Sequence, residues 1–76
     1  MDELVLPLRG DHITLDALLK ATGLAHSGGD AKALIVAGAL KVNGDVERRR
    51  GRKLRDGDVV SLDGRSVKVA GPRMQP

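Results

Sequence analysis

The sequence predicts an α+β fold in which an αα-hairpin of two short helices packs on a small, mainly antiparallel sheet. Apolar residues recur at helical spacing over residues 15–37. From residue 40 onward the spacing changes to the two-residue period of strands. The dipeptides Asn43-Gly44 and Asp63-Gly64 are typical of tight hairpin turns. The helices therefore precede most of the sheet along the chain.

The first elements are a short strand and a helix. Residues 4–6 are apolar and are followed by Pro7, which cannot donate to a strand ladder, so we expect an edge strand. Thr14 is a suitable N-cap for a helix over residues 15–22. Gly23 is suited to the left-handed conformation that often ends a helix.

The second helix is predicted over residues 28–37, with Gly38 ending it. Ser27 and Asp30 follow the spacing of a capping box, with Asp in the place of Glu. The free amides at Gly28-Gly29 lie at the positive end of the helix dipole and lack side chains that would cover them. A phosphate could approach these amides, although the glycines also suit a tight entry from the first helix.

The first hairpin leaves a choice of register. A two-residue loop mixes apolar and polar side chains on each face of the hairpin. A three-residue loop over residues 42–44 pairs Lys41 with Asp45 and Leu40 with Val46. This register places the polar pair on one face of the hairpin and the apolar pair on the other. We therefore predict the three-residue loop, with a bulge at its glycine.

The second hairpin joins strands over residues 59–62 and 65–69 through a two-residue turn. Because no repeat or linker interrupts the 76 residues, we expect one domain over residues 1–70 and a flexible tail over residues 71–76. The predicted core consists of Leu15, Leu18, Leu19, Ala31, Leu34, Ile35, Leu40, Val46, Val60, Leu62, Val67 and Val69.

The composition argues against several classes of function. The chain has no cysteine, and its two histidines, His12 and His26, have no ligand partners at suitable spacing, so no metal site is predicted. No nucleophile elbow, phosphate-binding loop or dinucleotide fingerprint is present. We therefore predict a protein that is not an enzyme on its own and that uses no cofactor, metal or small-molecule substrate.

The expected environment is the cytoplasm. No apolar run approaches the roughly 20 residues of a membrane span, and the start Met1-Asp2-Glu3 is acidic, unlike a secretory signal. We expect no membrane partner and a monomer when the protein is free.

Positive charge is concentrated in one segment. Residues 41–55 hold seven basic and two acidic residues, a net charge of +5, whereas the rest of the chain has a net charge of −2. Such a basic cluster on an otherwise acidic domain indicates a polyanionic partner, although charge runs also serve as solvated loops. The chain has no aromatic residue, so bases cannot stack on Phe, Tyr or Trp.

Residues 14–62 resemble the RNA-binding domain named after ribosomal small-subunit protein four, also called the alpha-L motif. The resemblance is carried by Leu15-Asp16-x-Leu18-Leu19, Ser27-Gly28-Gly29-x-Ala31-Lys32, Leu34-Ile35, Gly38, Val42-Asn43-Gly44, Arg49-Arg50-Gly51-Arg52-Lys53-Leu54 and Gly57-Asp58. The second, fifth and sixth of these look like a bacterial family of small free-standing proteins of this type, over nearly the whole chain. The resemblance implies binding of structured RNA, often ribosomal RNA, by helix and hairpin residues.

One position departs from many relatives in larger proteins, which carry Ser-Arg where this chain has Ser27-Gly28. We expect the basic run to take over part of that contact, through arginine forks on phosphates and with readout of backbone shape. Asn43 and Lys32 could add contacts to sugar or base edges. The predicted RNA-binding residues are Gly28, Gly29, Lys32, Lys41, Asn43, Arg48, Arg49, Arg50, Arg52 and Lys53.

Two other functions remain open from the sequence. The basic run could dock on an acidic protein surface, or the chain could be an accessory RNA-binding subunit of an RNA-modifying enzyme. Within the basic run, we expect Gly51 to break the strand alternation and let Arg50 and Arg52 converge.

Overall fold

The computed structural model describes residues 2–71 and contains a five-stranded sheet, a two-stranded ladder and two helices. The predicted C-terminal tail, apart from Gly71, lies outside the described residues. In chain order the elements are β1 (Asp2–Pro7), β2 (Ile13–Thr14), α1 (Leu15–Thr22), α2 (Gly28–Val36), β3 (Lys41–Val42), β4 (Asp45–Val46), β5 (Lys53–Leu54), β6 (Val59–Leu62) and β7 (Arg65–Ala70).

The main sheet has the strand order β1-β7-β6-β3-β4. Only β1 and β7 are parallel, so the sheet is mixed but mainly antiparallel. The edge position of β1 agrees with its Pro7, whose nitrogen has no hydrogen to donate. Strands β6 and β7 pair Val60 with Val67 and Ser61 with Ser66, which confirms the predicted two-residue turn.

The first hairpin differs from the prediction. Lys41 pairs with Val46 and Val42 with Asp45, so the loop has two residues, not three. Asn43 and Gly44 both adopt positive φ angles, 52° and 90°, as a type I′ turn requires. Val42 is 3% exposed and pairs with Val60 of β6 on the core side, whereas Val46 is 46% exposed. The predicted core position of Val46 is therefore wrong.

Helix α1 begins and ends at the predicted residues, and α2 ends one residue before the predicted end. The side chain of Ser27 accepts a hydrogen bond from Asp30 N at 3.1 Å, and the Asp30 carboxylate accepts one from His26 N at 3.0 Å. Thr14 occupies the N-cap position of α1 but caps no amide with its hydroxyl, which donates to Asp16 Oδ1 instead.

Both helices pack on the same side of the sheet, and the core lies between the two layers. The predicted core residues other than Leu34 and Val46 are buried, and Leu34 is half-buried against the core. The structure adds four buried apolar residues that the sequence patterns did not predict, Leu8, Ala25, Val42 and Leu54. Within residues 2–71, neither helix has the length and apolar character needed to cross a membrane.

Candidate functional site

The predicted basic run follows β4 and ends on the first residue of β5. We call residues 48–53 the basic loop; five of its six residues are Arg or Lys. The loop is not a regular strand, because Arg50 and Gly51 form a turn in which Arg52 N donates to Arg49 O at 3.2 Å.

The main chain of the basic loop caps helix α1. Leu15 N donates to Arg52 O at 2.9 Å, and Asp16 N donates to Arg50 O at 3.2 Å. The first amides of a helix have no partner within the helix, so these carbonyls supply the bonds that the Thr14 hydroxyl does not. The pairing of β2 with β5 then anchors the C-terminal end of the loop.

The N-terminal end of the loop reaches the other helix. The guanidinium of Arg48 lies against Gly38, so close that a Cβ atom at position 38 would be 2.8 Å from Arg48 Nη2. Gly38 also has a φ of +80°, which favours glycine for a second reason. The basic loop therefore spans the end of the helix pair where α1 begins and α2 ends.

A buried carboxylate lies under the loop. Glu47 is 7% exposed and is the only buried polar or charged residue among residues 3–71. Its Oε2 accepts from Arg49 N and Nε, each at 3.1 Å, and its Oε1 accepts from Arg49 Nη2 at 3.1 Å and Arg52 Nη1 at 2.8 Å. These bonds, those from Arg49 above all, lower the pKa of Glu47 from 4.5 to about 2, and Glu47 in turn raises the pKa of Arg49.

The arginines that converge are therefore Arg49 and Arg52, on the Glu47 carboxylate, and not Arg50 and Arg52 as the sequence suggested. The turn at Arg50-Gly51 replaces the strand on which that expectation depended. Within the described part of the chain, the exposed side chains of Arg48, Arg50 and Lys53 make no hydrogen bond or ion pair. The loop thus presents three unpaired cations beside two partly engaged arginines.

The other predicted site residues lie outside the loop. Gly28 and Gly29 begin α2, whereas Arg48 lies near its other end; the nine residues of α2 span about 13 Å. Lys32 is exposed one turn into α2. Lys41 follows a buried residue and precedes Val42, so strand alternation places it on the sheet face opposite the helices.

The Asn43 side chain is occupied by the fold. Its Nδ2 donates to Asp58 Oδ1 at 3.0 Å, and its Oδ1 accepts from Val59 N at 2.9 Å. These bonds join the tip of the first hairpin to the start of β6. Asn43 therefore has a structural role, which leaves few of its polar atoms for a ligand.

Among residues 2–71, no three His, Asp or Glu side chains are grouped as a metal site would require. His12 lies beside Asp11 in an exposed pair with a distance of 2.7 Å. The basic loop, with its five cationic side chains, is therefore the candidate functional site.

Two helices on one side of a mixed sheet, with the basic loop at one end of the helix pair, make this an alpha-L fold. The family model of the S4 domain matches residues 6–70, so the chain belongs to the S4 domain family. Over 58 residues the chain is 45% identical to the "Putative RNA-binding protein YbcJ" of Escherichia coli (strain K12). This match covers 76% of this chain and 83% of that protein.

Two further comparisons agree with this assignment. Over 52 residues the chain is 44% identical to the "Probable ribosome maturation protein RlbA" of Bacillus subtilis (strain 168), covering 68% of this chain and 73% of that protein. The solution structure of E. coli YbcJ, described as revealing an alpha-L motif involved in RNA binding, superimposes with a TM-score of 0.65 at 40% identity. The match covers 92% of this chain and 87% of YbcJ.

Proposed function

We propose that this protein binds structured RNA, and that the phosphates are held by the basic loop. The observation that carries the proposal is the loop itself, whose main chain is fixed by hydrogen bonds to α1 and carries five cationic side chains. Cations on a fixed main chain lose less conformational freedom on binding than cations on a mobile segment. Arginine forks suit phosphate oxygens because two parallel N–H groups match two oxygens.

The proposed RNA is ribosomal, and the proposed role is binding without catalysis. The names of YbcJ and RlbA refer to RNA binding and to ribosome maturation, which supports this choice. The chain has no aromatic side chain on which bases could stack, so recognition depends on the shape of the RNA backbone. We further propose that the protein acts as a monomer in the cytoplasm.

The proposed surface extends from the basic loop along α2. Lys32 and the open amides of Gly28 and Gly29 lie along this helix, so one RNA strand that follows α2 could reach all three. Lys41 lies on the opposite face of the sheet and is a secondary contact in this arrangement. Asn43 is not part of the proposed surface, because the fold uses its side chain.

The test is ultraviolet crosslinking in cells followed by sequencing of the bound RNA. We expect ribosomal RNA fragments to be enriched over their abundance in a control with Arg48→Gln and Arg50→Gln. Equal enrichment in the control would contradict the role of the basic loop. A pull-down before and after ribonuclease treatment separates RNA from an acidic protein partner, since protein partners that survive the treatment would favour direct protein docking.

A further inference from the structure

Glu47 is an unexpected residue for a surface that binds a polyanion. Its negative charge directly precedes the basic loop, where it would repel phosphate, and it is buried. Charged side chains are seldom buried unless they are paired. Here the carboxylate accepts four hydrogen bonds, all of them from Arg49 and Arg52.

The geometry leaves the outer part of Arg49 available. A guanidinium carries five N–H groups in one plane, and Glu47 uses one on Nε and one on Nη2. The remaining hydrogens on Nη1 and Nη2 form the end edge of the plane, and the side chain is 75% exposed. A phosphate can therefore accept two bonds from this edge while the other edge stays on Glu47.

Arg52 is held by the same carboxylate through a single bond from Nη1 to Oε1 at 2.8 Å, and its side chain is 36% exposed. The carboxylate also fixes the main chain at the start of the loop, because Arg49 N donates to Oε2. The opposite side of the loop is fixed by α1 through the carbonyls of Arg50 and Arg52. Glu47 and α1 thus hold the loop from two sides.

We propose that Glu47 is a positioning residue for RNA binding, which orders the guanidinium groups of Arg49 and Arg52 before the RNA arrives. The proposal rests on the proposed function. Without Glu47 both arginines become free rotors that must be immobilised during binding. Immobilising two such side chains corresponds to a loss of roughly 5- to 150-fold in affinity.

The proposal predicts a change opposite in sign to that expected from net charge. Glu47→Gln raises the net charge from +3 to +4, which by long-range attraction alone would strengthen binding to RNA. Positioning predicts weaker binding by roughly 5- to 150-fold. Asp45→Asn is the matched control, because it makes the same charge change at an exposed residue of β4. We expect Asp45→Asn to bind as tightly as the unmodified protein or slightly tighter.

The experiment measures the fluorescence anisotropy of a labelled ribosomal RNA fragment, identified by crosslinking, at one fixed salt concentration. Circular dichroism checks that each variant is folded. If the unmodified protein does not bind, the proposed function fails. If it binds and folded Glu47→Gln binds as tightly as Asp45→Asn, the positioning role of Glu47 is overturned and the proposed function stands.

A second pair of variants tests the same idea without removing the carboxylate. Arg49→Lys keeps the charge but loses the fork that Glu47 holds, so we expect a loss of affinity that is smaller than that of Glu47→Gln, which releases both arginines. Arg65→Lys, at an exposed residue outside the site, is the control and should bind normally. In the double variant the two losses should be less than additive, because Glu47→Gln then releases only Arg52. Full affinity in Arg49→Lys, or additive losses in the double variant, would overturn the proposal.

Discussion

Replacing Ser27 by Ala should lower the stability of the domain by a measurable amount while leaving RNA affinity unchanged. The Ser27 hydroxyl accepts one hydrogen bond from Asp30 N at 3.1 Å, and α2 has no other side-chain cap on that amide. Losing such a cap costs about 1 kcal/mol. A chain of 76 residues has a total stability of about 4–11 kcal/mol, so this is a noticeable share.

The expected shift in melting temperature follows from the size of the chain. The unfolding entropy is about 2.1 cal/mol/K per residue, or about 0.16 kcal/mol/K for the whole domain. A loss of about 1 kcal/mol therefore lowers Tm by about 6 °C. Thermal unfolding followed by circular dichroism measures this shift.

Ser66→Ala is the matched control for Ser27→Ala. Ser66 lies in β7 on the sheet face away from the helices, and its hydroxyl makes no hydrogen bond within the described residues. We expect its Tm to change by less than half as much. An unchanged Tm in Ser27→Ala, or an equal fall in both variants, would refute the capping argument. A loss of RNA affinity in folded Ser27→Ala would show that this residue also contacts RNA.

Three further predictions concern the core, the buried carboxylate and the turns. Leu54→Ala should lower the free energy of unfolding in urea by about 2–5 kcal/mol, because Leu54 is fully buried. Val46→Ala, at an exposed position, should change it by less than about 0.5 kcal/mol. Similar losses in both variants would contradict the burial of Leu54 and the exposure of Val46. Glu47 has a folded pKa of about 2, below its ordinary 4.5, so its carboxylate stabilises the fold above about pH 4.5 and this contribution is lost as the pH falls toward 2. The stability difference between the unmodified protein and Glu47→Gln should shrink over that range, and a constant difference would contradict the assignment. Gly44→Ala should destabilise the fold by about 1 kcal/mol, because Gly44 has a φ of +90°. Gly51→Ala is the control and should be nearly neutral in the same thermal assay, because Gly51 has no positive φ and open space surrounds its Cα atom. Equal effects of the two substitutions would be inconsistent with the turn geometry.

The helices and the second hairpin could be predicted because their signals are local. The bounds of α1 follow from the spacing of Leu15, Leu18 and Leu19 and from Gly23, which ends the helix with a φ of +80°. At the Asp63-Gly64 turn, only the two-residue loop pairs valine with valine and serine with serine across the two strands. Each of these choices depends on residues close together in the sequence.

The sequence of the first hairpin favours the wrong register, because its apolar pattern alone does not show which face packs against the neighbouring strand β6. The pairing of Val42 with Val60 of β6 decides which face is buried, and this contact spans 18 positions of the chain. The side chain of Asn43 then fixes the turn by bonding to Val59 N. Neither contact has a signal within the hairpin sequence itself.

The position of the basic loop could be predicted, but not its internal order. The charge run predicted a cationic surface at residues 48–53. The ladder of β2 and β5 has two residues per strand, too few for a periodic pattern, so the anchoring by Leu54 was missed. The burial of Glu47 could not be predicted, because a single acidic residue before an arginine run indicates only a negative charge.

The central claim is that the basic loop neutralises RNA phosphates, and the salt dependence of RNA binding tests it most directly. For four or five phosphates, log affinity should fall against log salt concentration with a slope of roughly −3 to −4.5. Arg48→Gln with Arg50→Gln removes two unpaired cations of the loop and should flatten the slope by about 1.4–1.8.

The matched control is Arg9→Gln with Lys68→Gln, which removes the same charge at exposed residues outside the loop. The account predicts that this control keeps nearly the full slope and affinity, whereas the loop variant has a flatter slope and a lower affinity. If the folded loop variant retained the slope and affinity of the unmodified protein, or if the control lost as much as the loop variant, the basic loop would not be the RNA-binding surface.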